Sequence, residues 1–256
     1  MSDPEVQSAG MPVSAGHGLS QLERLTNAFL APSKTFEDIN RGNKSWWLPF
    51  LLFVLIGTGL WATVTVKVTW SQVVENSIHL SQKQTDQLEK LTPEQRATQM
   101  KVGATIQEVL WALAPVWVLV MNLIAAGILL GTINFGFGGQ ATFGKVFAVS
   151  WYAGLPGLVK LALGAAGLWA GMAPESFLPQ NPAGTNLGFY LMPPDTPMVL
   201  FSIYSALDIL TIWCLVLFSI GLAKVAGTKT SNGFMAVFGW WLLTLLLGVG
   251  VAAVTS

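Results

Sequence analysis

"SWWLPFLLFVLIGTGLWATVTV", residues Ser45 to Val66, contains no charged side chain. About 20 apolar residues are enough for a helix to cross the hydrocarbon core of a bilayer, so this stretch reads as a membrane span. It opens on Trp46 and Trp47, ring types that suit the headgroup level, and Pro49 falls in the first turn, where its missing N–H matters least. The rest of the chain agrees in composition, with 52% hydrophobic and only 10% charged residues. An average soluble domain carries roughly 25% charge, so the class is an integral membrane protein.

Four more charge-poor runs follow, giving expected spans at 46–66, 109–133, 146–172, 197–222 and 234–254. The second ends at "NFGFGGQ" (Asn134 to Gln140), a glycine-rich turn. The fold class is therefore all-α, a polytopic bundle of five transmembrane helices. Residues 1–18 are rich in Ser, Gly, Pro and Ala and read as a disordered tail, with the membrane domain expected over 19–254. No secretory signal peptide is expected, because the first long apolar run begins only at Trp46.

Basic residues orient the bundle. With the N-terminus cytoplasmic, that side collects Arg24, Lys34, Arg41, Lys44, Lys145, Lys224 and Lys229. The far side holds Lys67, Lys83, Lys90, Arg96 and Lys101 in one long loop and no base in the Pro-rich loop 175–195. The expected topology is N-terminus cytoplasmic, C-terminus extracytoplasmic.

Two segments outside the spans carry helical signals. In "LSQLERLTNAFLAPSKTFEDI", Ser20 and Glu23 have capping-box spacing, and Leu22, Leu25 and Phe29 recur at helical intervals. This predicts an amphipathic helix on the cytoplasmic interface, divided by a proline from a second turn of helix carrying Phe36 and Ile39. The loop 67–108 holds two further cap signals, Ser81 with Gln84 and Thr92 with Gln95, and predicts an extracytoplasmic helical hairpin running into span two.

The segments "FLAPSKTFEDINRGNKSWWLPF", "TFGKVFAVSWYAGLPGLV" and "LDILTIWCLVLFSIGLAKVAG" resemble the prokaryotic branch of the Yip-domain family, whose eukaryotic members are Ypt/Rab-GTPase-interacting proteins. The resemblance covers roughly residues 25–254 and rests on Pro32, Phe36, Pro49, Pro156, Trp213 and Gly221. It implies five membrane helices, a cytoplasmic N-terminus and no enzymatic activity. With bacterial-looking loops, it also implies residence in a bacterial inner membrane and no Rab partner. The long polar segment 67–108 departs from the compact eukaryotic pattern.

Catalysis finds no support among the residues themselves. The two histidines, His17 and His79, lie outside the spans, and there is neither HExxH nor GxSxG. Cys214 is the sole cysteine, which excludes an intrachain disulfide and a cysteine-based zinc cluster. No cofactor or metal is expected, and a net charge of zero gives no footprint for nucleic acid.

Within the spans, Lys160 and Asp208 demand an explanation, since a charge at the bilayer centre costs about 2.5 to 3.5 kcal/mol on insertion scales. Counting inward from the span ends puts both near mid-depth together with Thr58, Asn122 and Thr244, an intramembrane polar layer to which every helix contributes. Such a layer is either interhelical glue, with Lys160 paired to Asp208, or the lining of a path for a proton, ion or small solute. Gly127 with Gly131, and Gly167 with Gly171, have GxxxG spacing and leave a homo-oligomer open. Three functional readings follow: a non-catalytic factor that organises the bilayer or recruits an unknown membrane or cytoplasmic protein through its N-terminal segment; a transporter or channel using Lys160 and Asp208; and an assembly subunit binding an extracytoplasmic partner through 67–108.

Overall fold

The computed structural model describes residues 18–191 and 196–255. The tail expected at 1–18 lies, except for Gly18, outside the described residues. Twelve α-helices are present among the described residues: α1 (Gln21–Leu30), α2 (Pro32–Asn40), α3 (Trp47–Lys67), α4 (Trp70–Ile78), α5 (Gln82–Glu89), α6 (Pro93–Ala112), α7 (Ala114–Gly131), α8 (Phe143–Ala153), α9 (Leu155–Trp169), α10 (Met198–Ala206), α11 (Ile209–Ala226) and α12 (Thr230–Thr255).

Five helical stretches are long and apolar enough to cross a membrane: Trp47–Lys67, Ala114–Gly136, Phe143–Trp169, Ile209–Ala226 and Thr230–Ala253. The third is the hub, with 56% of its most apolar window buried against 11% for the fifth. Its first half, α8, packs against α7 and α11, and its second half, α9, packs against α3 and α11. Pro156 lies at the start of α9, where its missing donor coincides with the α8–α9 break at Gly154. α3 and α9 run in the same direction, because Trp169 donates to Thr63 Oγ1 (3.3 Å) and Lys67 Nζ sits 4.0 Å from the centre of the Trp169 ring. α12 closes the other flank along α10 and α11.

Three elements differ from the expectation drawn from sequence. Span four is not continuous, because α10 ends at Ala206 and α11 begins at Ile209, with Asp208 as the N-cap of α11. The segment 67–108 holds three helices, α4, α5 and α6, and α6 is separated from α7 at Leu113, just before Pro115. The turn after α7 begins as a π-helical segment, Thr132–Gly136. Asn134 pins it by accepting from Ala141 N (2.9 Å) and donating to Ala141 O (3.0 Å).

α1 and α2 form an antiparallel hairpin docked on the bundle. The capping box of Ser20 and Glu23 starts α1, and Pro32 occupies the first position of α2. The apolar side of this hairpin faces protein, with Ala28, Phe36 and Ile39 fully buried in the main core. Leu22 and Leu30 point away from it, 68% and 80% exposed.

Candidate functional site

Asp208 and Lys160 meet, with Lys160 Nζ 3.1 Å from Asp208 Oδ2. The meeting is set by the break in span four. As N-cap, Asp208 accepts from Leu210 N (3.0 Å) and Thr211 N (2.9 Å) through Oδ1, so the carboxylate completes the exposed start of α11 and faces its positive dipole end. Oδ2 accepts from Asn186 Nδ2 (3.1 Å) and from the Thr185 hydroxyl. Five donors therefore converge on one carboxylate that is 1% exposed. A buried ion pair returns its desolvation cost only when further hydrogen bonds satisfy the remaining lone pairs, and here they do.

Loop residues 177–190 build the other wall. Asn186 Nδ2 also bonds Asn181 Oδ1, and Asn181 Nδ2 donates to Ser205 Oγ (3.1 Å) on α10. Gly164 lets this loop approach α9, since a Cβ there would lie 2.8 Å from Pro182 Cβ. Asn76 on α4 holds the start of the same loop by donating to the carbonyls of Pro174 and Phe177, both at 2.8 Å. None of Asn181, Thr185, Asn186 and Asn76 stood out in the sequence, where the loop offered only its prolines and its lack of bases.

The other members of the expected polar layer do not join the pair. Asn122 donates to Val118 O (3.2 Å) and Thr244 to Trp241 O (2.8 Å), each within its own helix. Thr58 lines a separate, largely apolar cleft of about 160 Å³ between α3 and the α6–α7 junction, together with Trp61 and Trp111. Facing, not depth, explains the separation. Lys160 on α9 and Thr58 on α3 each stand nine residues, about 13 Å at 1.5 Å per residue, from Trp169 and Lys67, which meet at one end of the bundle, yet their side chains lie on different faces. Nor do the GxxxG spacings pack helices within the chain: a Cβ at Gly127 or Gly131 would meet nothing within 4 Å, and Gly171, at φ 106°, follows the end of α9.

A second ionic centre lies beside Tyr152, eight residues before Lys160 on the hub helix, and sequence reading passed over it. Arg24 on α1 is fully buried; its Nε is 3.3 Å from Asp38 Oδ2, and Nη1 donates to the carbonyls of Asn43 (3.1 Å) and Ser45 (3.2 Å). Its guanidinium lies 5.3 Å from the centre of the Tyr152 ring, and the Tyr152 hydroxyl donates to Gln21 Oε1 (2.9 Å). Asp38 also accepts from Leu19 N (3.0 Å) and Asn43 Nδ2 (3.1 Å). This arrangement clamps α1, α2 and the entry to α3 onto α8. In sequence Arg24 was one more base of the cytoplasmic face, and no local pattern distinguishes it from Lys34.

Around this clamp, three of the residues that carried the family resemblance, Phe36, Trp213 and Gly221, lie where the hairpin packs against α11. Phe36 packs into the space left by Gly221, where a Cβ would lie 2.9 Å from the Phe36 ring. Phe29 meets Trp213 edge-on with ring centroids 5.7 Å apart. Glu37 reaches Lys224 (3.6 Å) and Arg41 (2.9 Å), and Lys145 Nζ donates to Asn40 Oδ1 (2.9 Å). Together these contacts fix the hairpin against α8 and α11.

A family model, the Yip1 domain, matches residues 26–252. The chain belongs to the Yip1 family. The Yip1 domain thus takes in most of the α1–α2 hairpin, the five span helices and the segment α4–α6. No curated protein and no solved structure matches the chain.

Proposed function

We propose that this Yip1-family protein is a non-catalytic factor that organises the membrane or recruits a protein partner, seated in a bacterial inner membrane with its N-terminus cytoplasmic and its C-terminus extracytoplasmic. The observation that carries the reading is the saturation of its one intramembrane ion pair. Five donors occupy the Asp208 carboxylate, which leaves it nothing to offer a migrating proton or solute. Charge placement supports the orientation, since Lys34, Arg41, Lys44, Lys145, Lys224 and Lys229 all lie in or beside α1–α2 and the span ends it contacts.

On this reading the working surface is the outward side of α1. Phe29 and Phe36 belong to the packing, so polar substitutions there report loss of fold rather than loss of a partner. Leu22→Ser with Leu30→Ser is the informative variant, because both side chains are exposed. Expressed in a deletion strain, it is expected to insert and fold at the parental level while failing to complement. Full complementation would overturn the reading.

The outer segment supports a second reading, assembly with an extracytoplasmic protein. None of the residues of α6 is buried, and Glu94, Gln95, Thr98 and Gln99 stand open on it. Glu94→Lys with Gln99→Lys is expected to abolish a cross-linked partner without altering insertion, and an unchanged cross-linking pattern would exclude that role.

A further inference from the structure

The α1–α2 hairpin has a depth as well as a position. Its contacts with α11 run in order along both elements: Glu37 with Lys224, Phe36 with Gly221, Phe29 with Trp213. Asn40 meets Lys145 at the start of α8, so the open end of the hairpin sits at the level of the span ends. From Lys224 to Trp213 the helix descends about 16 Å at 1.5 Å per residue. Half of a hydrocarbon core of about 30 Å is about 15 Å. α2 limits the turn itself: from Asn40 to Pro32 it is about 12 Å long at the same rise, so the turn at Leu30–Pro32 lies within the cytoplasmic leaflet and short of the bilayer midplane.

The chain at that turn is fitted to hydrocarbon. From Leu25 to Ser33, "LTNAFLAPS", there is no charged residue, and the flanking Arg24 is neutralised in the buried clamp. At the turn, Ala31 N donates to Asn27 O (2.8 Å), Lys34 N donates to Ala31 O (2.9 Å), and Pro32 has no N–H to satisfy. The Thr26 hydroxyl donates back to Leu22 O (3.0 Å) within its helix. Leu30, the outermost side chain of the turn, is 80% exposed. Exposed Glu23, whose carboxylate accepts from Ser20 N (2.8 Å), and exposed Lys34 are the nearest charges without a buried partner, and a lysine stem is long enough to carry its charge toward the headgroups from within one leaflet.

We propose that α1–α2 is a re-entrant hairpin whose tip, Leu30 to Pro32, contacts the acyl chains of the cytoplasmic leaflet. It enters one leaflet and returns, so it adds cross-section to that leaflet alone. This deepens the membrane-organising reading and rests on it for its consequence in the cell: lipid hydrocarbon is what the outward surface of α1 meets, and a one-sided wedge is how it organises a bilayer.

The depth is measurable on purified protein without any cellular readout, so its failure and that of the organising role are separable. In a Cys214→Ala background, Leu30→Cys and Thr26→Cys are each labelled with a nitroxide and reconstituted into vesicles of phosphatidylcholine and phosphatidylglycerol. Collision with oxygen, which concentrates in hydrocarbon, is compared with collision with a water-soluble nickel chelate. Leu247→Cys on α12 and Gln82→Cys on α5 give the lipid and water references. The expected result is that Leu30→Cys matches the lipid reference and that Thr26→Cys falls on the oxygen-favoured side at lesser depth. A Leu30→Cys label as open to nickel as the water reference would overturn the proposal. So would a label shielded from both reagents, which would mean that protein from a second copy covers the tip.

Discussion

At position 221 a hydrogen atom decides how three elements meet. A Cβ there would lie 2.5 Å from Val149 Cγ1 of α8 and 2.9 Å from the Phe36 ring. Gly221→Ala is expected to destabilise the fold by about 1 to 3 kcal/mol, the usual cost of overpacking, read as a lowered thermal midpoint in detergent. Arg24→Met strands the Asp38 carboxylate, and losing one partner of a buried pair costs about 3 to 5 kcal/mol. Lys224→Met touches only a half-exposed pair and is expected to cost under about 1 kcal/mol in the same assay. Glu37 adds a pH dependence. The Arg41 hydrogen bond, followed by the charge of Lys224, holds its carboxyl below the ordinary 4.5. A depressed carboxylate contributes stability above its unfolded pKa and loses it as pH falls through the folded value. The difference in midpoint between the parent and Glu37→Gln should therefore be present near neutrality and be lost on acidification through the depressed folded-state value.

Among the elements, the junction of α3 and α4 is strained. Thr69 has φ 74° and ψ 147°, a region that a β-branched residue rarely enters, while its hydroxyl caps α4 at Gln72 N (3.3 Å). Thr69→Gly is expected to raise stability by about 1 kcal/mol, because relief of the backbone exceeds the few tenths lost with the cap. An unchanged or lowered midpoint would mean that the cap dominates. The same junctions mark where sequence reading of the elements ended. The five spans and the helix starts at Ser20 and Thr92 were legible, because apolar run length and cap spacing are local signals. The interruption at Leu207 and Asp208 was not: nothing in "YSALDILTIW" breaks a helix on propensity alone, and the gap is stabilised by the distant Lys160, Thr185 and Asn186. The α1–α2 hairpin was legible as helical and amphipathic, whereas the direction of its apolar side depended on Gly221 and Tyr152, more than a hundred residues away.

Over the whole molecule, two ionic centres tie the bundle together, one beside Tyr152 and one at Lys160 of the hub helix. Arg24 and Asp38 fix the N-terminal hairpin, while Lys160 and Asp208 fix loop 177–190 and the start of α11. Reading from sequence picked out the second pair, because a lysine and an aspartate within apolar spans are each conspicuous against their neighbours. Thr58, Asn122 and Thr244, named with it, do not touch the pair, since similar depth does not make side chains on different helices face one another. The account stands on the Lys160–Asp208 pair being a fastener. Its most direct test compares Lys160→Met, Asp208→Leu and the double variant in native membranes for folded yield and for complementation of a deletion strain. The account predicts that each single variant loses yield and that the double variant recovers both yield and complementation. A double variant that folds at the parental level yet fails to complement would contradict it and make the pair part of a transport path.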